Sequence, residues 1–274
     1  MKKIKAIEDY IKELLAKSTP DRPIWNIEKL KQGVKSKWNY IDGCMIKAVL
    51  ETYAITGDEE YFKFADAFID YRVSEDGRID GYSVEEYNID NVNAGKTLFS
   101  LYELNGKEKY RKAIDLIYSQ VQTQPRTPEG NFWHKKIYPN QVWLDGMYMG
   151  QPFYMEYETK LNNKKNYKDI FSQFANVVKY LRDEETGLYY HGYDSSKSIF
   201  WADPETGRSK NFWLRSIGWF SVAMIDIIEI VDEQTKSELS GIFSRLMADI
   251  LKFRDEESGM YWQVVDQPGR EGNY

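Results

Sequence analysis

The strongest pattern along the chain is a helical stripe that occurs four times. From Tyr61, apolar residues recur at Phe64, Ala65, Phe68 and Ile69, and from Tyr110 they recur at Ala113, Ile114, Ile117 and Tyr118. The series from Tyr167 passes through Ile170, Phe171, Phe174, Ala175 and Val178, and the series from Leu239 through Ile242, Phe243, Leu246, Met247 and Ile250. Steps of three and four residues place one apolar face on each helix and leave the rest to charged residues. The three tyrosines follow turn-like TGDEE, NGKEK and NNKKN, and a glycine lies beyond each stripe, at Gly77, Gly130, Gly187 and Gly259.

A second kind of helical stretch precedes each stripe, beginning near WNYIDG, YNIDNVNAG, QVWLDGMYMG and FWLRSIGW. These stretches hold Gly, Ala, Met and aromatics, with few charges in their first turns, as an inner layer wrapped by one-sided outer helices would. The pattern predicts inner helix, turn, outer helix and glycine loop, repeated. The fold class is therefore all-α, an (α/α)6-type toroid of helical hairpins, with an open solenoid of the same units as the alternative. An amphipathic first helix in MKKIKAIEDYIKELLAK brings the count to nine of the twelve helices a closed ring needs. A single domain over 1–274 is expected, incomplete at its carboxyl end, with self-association through the unclosed edge as a consequence.

Composition narrows the chemistry. Aromatics reach 15%, with 8 Trp and 21 Tyr, which suits either a ring-lined binding surface or an aromatic core. A net charge of −6 argues against nucleic acid as a partner, since displacing counterions from phosphates needs a dense basic face. The lone Cys44 leaves no internal disulfide, and His134 and His191 are too few for a usual zinc centre, so cofactor-free, metal-free chemistry is expected. Glu8, Asp9 and Glu13 interrupt the apolar residues of the amino end, unlike a signal peptide, and no run approaches the roughly 20 apolar residues of a membrane span. The cytoplasm is the expected location, with no membrane partner.

The repeat also sets a register. Asp42, Asp90, Asp145 and Arg215 all stand at the start of an inner helix and should face one end of a shared cavity, while His134 and His191 each follow a loop glycine by four residues. Each carboxylate has a plain alternative as a helix cap or dipole partner. Asp145 sits beside Trp143, and burial among rings favours the protonated carboxyl that a general acid requires. Asp90 could hold a sugar hydroxyl or a water opposite it. Arg215 precedes the apolar stretch LRSIGWFSVAMIDIIEIV and needs an anion, either Asp90 or Asp145 or a ligand carboxylate. Trp143, Trp213 and Trp219 lie near inner-helix starts, where a ring can stack on a ligand or pack in the core. The two histidines can equally serve as loop residues capping carbonyls.

NIDNVNAG, QVWLDGMYMG, YYHGYD, NFWLRSIGW and REGNY, in this order, resemble glycoside hydrolase family 105, the unsaturated rhamnogalacturonyl hydrolases of pectin breakdown, from about Trp38 to the last residue. The resemblance implies an (α/α)6 barrel. It also implies removal of a 4,5-unsaturated galacturonyl residue from rhamnogalacturonan oligosaccharides, by hydration of the C4–C5 double bond to a hemiketal that opens. Asp145 would be the general acid/base and Asp90 would bind sugar hydroxyls. His191, Arg215 and Trp219 would shape the pocket, with Trp143, His134 and Tyr40 among the substrate contacts. The family's chains continue past the equivalent of Tyr274. The alternatives are an unsaturated glucuronyl hydrolase acting on glycosaminoglycan fragments and a non-catalytic carbohydrate-binding toroid.

Overall fold

A computed structural model describes residues 2–274. Ten α-helices are present among them: α1 (Lys2–Ala16), α2 (Ile27–Gln32), α3 (Tyr40–Thr56), α4 (Glu59–Asp70), α5 (Lys96–Asn105), α6 (Glu108–Thr123), α7 (Leu144–Leu161), α8 (Tyr167–Leu181), α9 (Leu214–Ile230) and α10 (Glu233–Ile250). Two short strands, β1 (Gln141–Trp143) and β2 (Gly192–Asp194), pair antiparallel. Among the described residues no helix is long and apolar enough to cross a membrane. The chain divides into two compact units, Met1–Glu85 with Asp90–Gln122 and Glu86–Ile89 with Thr123–Tyr274.

In the first unit the hairpins form as the pattern requires. Gly57 and Gly106 end α3 and α5 in the left-handed conformation, and Asp58 caps α4 by accepting from the Glu60 N–H. The stripes of α4 and α6 bury Tyr61, Ala65, Phe68 and Ile69, and Tyr110, Ala113, Ile114 and Ile117. Inner helices α3 and α5 pack on each other, and Gly43 admits the chain before α5: a Cβ there would lie 2.6 Å from the Ala94 Cα. Asp42, left open between cap and pocket residue, is a structural clamp. Its buried carboxylate accepts from Trp25 Nε1 at 2.8 Å, Ser36 Oγ at 2.9 Å and Asn39 Nδ2 at 2.8 Å. Burial pushes this carboxyl above its usual range against the pull of those donors.

Two expectations change here. The six-residue α2, capped by Asn26, adds a helix to the nine predicted, because six residues carry too little periodicity to register. The inner helix expected from YNID begins only at Lys96, after a 3₁₀ turn over Ile89–Gly95. Within that turn the Asn91 backbone carbonyl accepts from Trp38 Nε1 at 2.8 Å. Asp90 therefore stands in the turn before the inner helix rather than in its first α-turn.

In the second unit α7 and α9 are the most closely packed pair of helices, with α8 against α7 and α10 against α9. Phe153, Phe174 and Phe220 form the centre of the core. The α7–α8 turn is organised by the fully buried Glu158, whose carboxylate accepts from Asn162 Nδ2 and from the N–H and side-chain amide of Asn166. On α8 the buried face is rotated from the predicted stripe. Ala175 is exposed and Gln173 is buried, because the Gln173 Oε1 accepts from the Phe132 N–H at 3.1 Å and from Gln151 Nε2 at 3.0 Å. After α8, Asp183 accepts from the N–H and hydroxyl of Thr186, and after α10 Asp255 does the same for Ser258, each turn closing on a positive-φ glycine, Gly187 or Gly259. A third copy, Asp203 with Thr206 and Gly207, lies in the loop after β2.

Candidate active site

In the second unit the first turns of α7 and α9 meet. Asp145 is the second residue of α7, and Arg215 and Ser216 are the second and third of α9. Ser216 Oγ donates to Asp145 Oδ2 at 2.8 Å, and the Arg215 guanidinium lies 3.7 Å from Oδ1. Asp145 is 7% exposed and Ser216 0%. Trp143 and Trp213 precede the two helices without capping them through their side chains, so the first-turn amides of α7 present partial positive charge to the carboxylate.

Arg215 differs from the sequence expectation. Although the helix behind it is apolar, its side chain is 46% exposed, and its guanidinium lies over the Trp213 ring at 4.0 Å. The indole holds it in place, and water reaches it, so burial is not what demands an anion. Asp145, one of the two carboxylates offered as partners, lies within ion-pair distance of it.

Rings gather on Trp143. His134 stacks on it at 4.4 Å and Tyr138 at 5.3 Å, while His191 meets it at 5.3 Å with a 53° tilt and in turn touches Trp213 edge-on at 5.2 Å. The two histidines do approach one place from different loops, as their shared register required. Strand pairing is the reason: Trp143 lies opposite Gly192, and the Leu144 N–H donates to the His191 carbonyl at 3.1 Å. Gly192 leaves the space, since a Cβ there would stand 3.3 Å from Trp143 Cδ1 and 3.4 Å from Trp201 Cη2. Gly146 does the same for His134, whose Nδ1 would be 2.9 Å from a Cβ on α7. Burial holds the His191 imidazole below its ordinary range; Asp145 opposes that shift, and His134 and Arg215 reinforce it.

Trp219, one helical turn beyond Arg215, stacks on Tyr148 of α7 at 4.7 Å, so this ring joins the two inner helices. Met147 and Met149 are buried, as packing residues would be. Tyr40 and Asp90 belong to the first unit, Tyr40 opening α3 and Asp90 in the 3₁₀ turn, and the part expected of them rests on the family resemblance. Ser216, Tyr138 and Tyr148 were not singled out in the sequence. A lone serine carries no periodic or motif signal, and neither tyrosine's partner is near in sequence. Among the described residues no three His, Cys, Asp or Glu side chains converge as a metal site would need.

Residues 15–274 match the family model described as Glycosyl Hydrolase Family 88. The chain belongs to that family. The family is one of glycoside hydrolases, and a solved structure places the chain beside the family 105 expected from its motifs. The glycoside hydrolase of family 105 from C. acetobutylicum is 39% identical, with a TM-score of 0.85 over 96% of this chain and 71% of that one. The unsaturated glucuronyl hydrolase of Bacillus sp. GL1, responsible for the degradation of glycosaminoglycan, shares the fold at a TM-score of 0.64 and 14% identity, over 88% of this chain and 64% of that one. Protein Atu3128 of Agrobacterium fabrum is 36% identical over 127 residues, 46% of this chain and 54% of that protein, so the match spans about half the length of that relative. The all-α hairpin class read from the stripes is the class of these family structures.

Proposed function

We propose that the protein removes a 4,5-unsaturated galacturonyl residue from rhamnogalacturonan oligosaccharides by hydrating the C4–C5 double bond. The observation that carries this reading is a buried carboxylate, Asp145, beside a half-exposed guanidinium, Arg215, at the meeting of two helix starts. An unsaturated uronyl residue offers the complementary pair, a carboxylate for Arg215 and an enol ether for a proton donor. At 3.7 Å the Arg215–Asp145 contact is longer than a hydrogen bond, and the exposed guanidinium is open to a ligand carboxylate.

Protonated Asp145 delivers its proton to C4, and the ring oxygen supports the positive charge that forms at C5. Water adds its oxygen to C5 and returns a proton to the Asp145 carboxylate. The product is a hemiketal at C5, which opens and releases the aglycone. Trp143, His134, His191 and Trp213 supply flat, largely apolar walls that orient the sugar and limit bulk water. Family 88 membership and 39% identity to a family 105 hydrolase support the reading. A glucuronyl substrate is the second reading, favoured by the fold shared with the glucuronyl hydrolase of Bacillus sp. GL1.

The test is loss of the ultraviolet absorbance of the conjugated double bond, with an unsaturated rhamnogalacturonan disaccharide and a chondroitin-derived one assayed side by side. Turnover of the first is expected to exceed that of the second, and Asp145→Asn is expected to lower kcat by at least about 100-fold. Faster turnover of the chondroitin product transfers the proposal to the glucuronyl class. Full activity in the Asn variant removes Asp145 from its role.

A further inference from the structure

The contact between Ser216 and Asp145 assigns separate tasks to the two carboxylate oxygens. Ser216 is wholly buried on α9, and its hydroxyl lies 2.8 Å from Asp145 Oδ2. An ionised carboxylate only accepts, so the serine must be the donor. Oδ1 faces the Arg215 guanidinium at a longer 3.7 Å, and that side chain reaches solvent where Ser216 does not. One oxygen is therefore tied into the packed interface of α7 and α9, and the other is turned to the exposed side. The neighbouring titratable and charged groups are Arg215 from α9 and His191 from the loop before β2, with His134 acting on His191.

We propose that Ser216 is a positioning residue for Asp145, fixing Oδ2 so that Oδ1 is the oxygen that takes up and delivers the proton. This rests on the reading of Asp145 as the acid/base given above. The serine touches no reacting atom. Its hydroxyl sets the carboxyl rotamer and favours the ionised form to which the proton returns at the end of each turnover. Without it, the carboxyl group is free to rotate about the Cβ–Cγ bond and both oxygens share the two roles.

The test compares wild type with Ser216→Ala and with Ser216→Cys, whose thiol is a weak donor of similar size. With the substrate that wild type turns over, the Ala variant is expected to lose about tenfold in kcat while KM stays within about twofold, and the Cys variant to fall between. The pH profile of kcat is expected to move to higher pH in the Ala variant. A second readout needs no turnover: the Asp145 carboxyl carbon, labelled with 13C and identified by its loss in Asp145→Asn, is titrated in each protein. Its midpoint is expected to rise by about one pH unit when Ser216 becomes Ala. An unchanged midpoint together with an unchanged pH profile overturns the proposal. If wild type turns over no unsaturated uronide, the reaction reading falls and the titration decides the Ser216 anchor alone, an unmoved midpoint rejecting it. Should the Ala variant fail to fold, the Cys variant carries the same comparison.

Discussion

At the scale of single residues, His191 feels opposed influences: burial disfavours its charged form, and Asp145 favours it. The net shift is downward, so the folded protein takes up this proton less readily than the unfolded chain, whose histidine titrates near about 6.5. The resulting stability is fully present above the unfolded value and is lost as pH falls through the lower folded one. Urea midpoints measured from pH 8 down to pH 5 are expected to decline below about 6.5, and to decline less in His191→Asn. Parallel curves for the two proteins would reject this. At this scale the sequence was informative where the repeat spoke. The matched positions of His134 and His191 after loop glycines point both to one mouth, and the structure adds that their rings meet on Trp143. It was silent on Ser216, because the bond to Asp145 spans 71 residues and depends on the packing of two helices.

Elements were legible in proportion to their length. The four outer helices were found because each repeats its apolar face over several turns, and α2 was missed because it spans six residues. The buried face of α8 was misplaced by Gln173, since a side chain that bonds the Phe132 N–H and Gln151 can be buried despite its polarity. The loop glycines also divide by environment. Gly106 ends α5 at φ 68 with open space where a Cβ would sit, so Gly106→Ala is expected to cost only the backbone term, about 1 kcal/mol. Gly187 has φ 76, and a Cβ there would lie 2.0 Å from Asp249 Oδ2, which also pairs with Arg182 at 3.0 Å. Gly187→Ala is expected to cost about 2–3 kcal/mol, since the side chain of Asp249 must leave that pair. Chemical denaturation of the two variants checks the order, and equal losses would show that the Asp249 contact yields freely.

For the molecule as a whole, the net charge of −6 sets a long-range field that would repel the proposed anionic sugar, while Arg215, in the role proposed for it, would attract that sugar only at contact. Salt shortens the reach of the first, from about 30 Å at 0.01 M to about 8 Å at 0.15 M, and affects a contact pair less. Raising ionic strength over that range is therefore expected to leave kcat/KM level or to lift it by up to about twofold. A steep fall would mean that a local basic field guides the substrate. The hairpin order was readable in the sequence because the repeat is local; the division into two compact units was not, since it depends on contacts between distant segments. The cluster on Trp143 has an evolutionary corollary. One indole is shared by His134, Tyr138 and His191, so a change of ring size there disturbs loops that lie far apart in the chain. If these rings form the proposed sugar wall, drift toward a new sugar would require concerted replacement of several of them, and single exchanges would be dead ends.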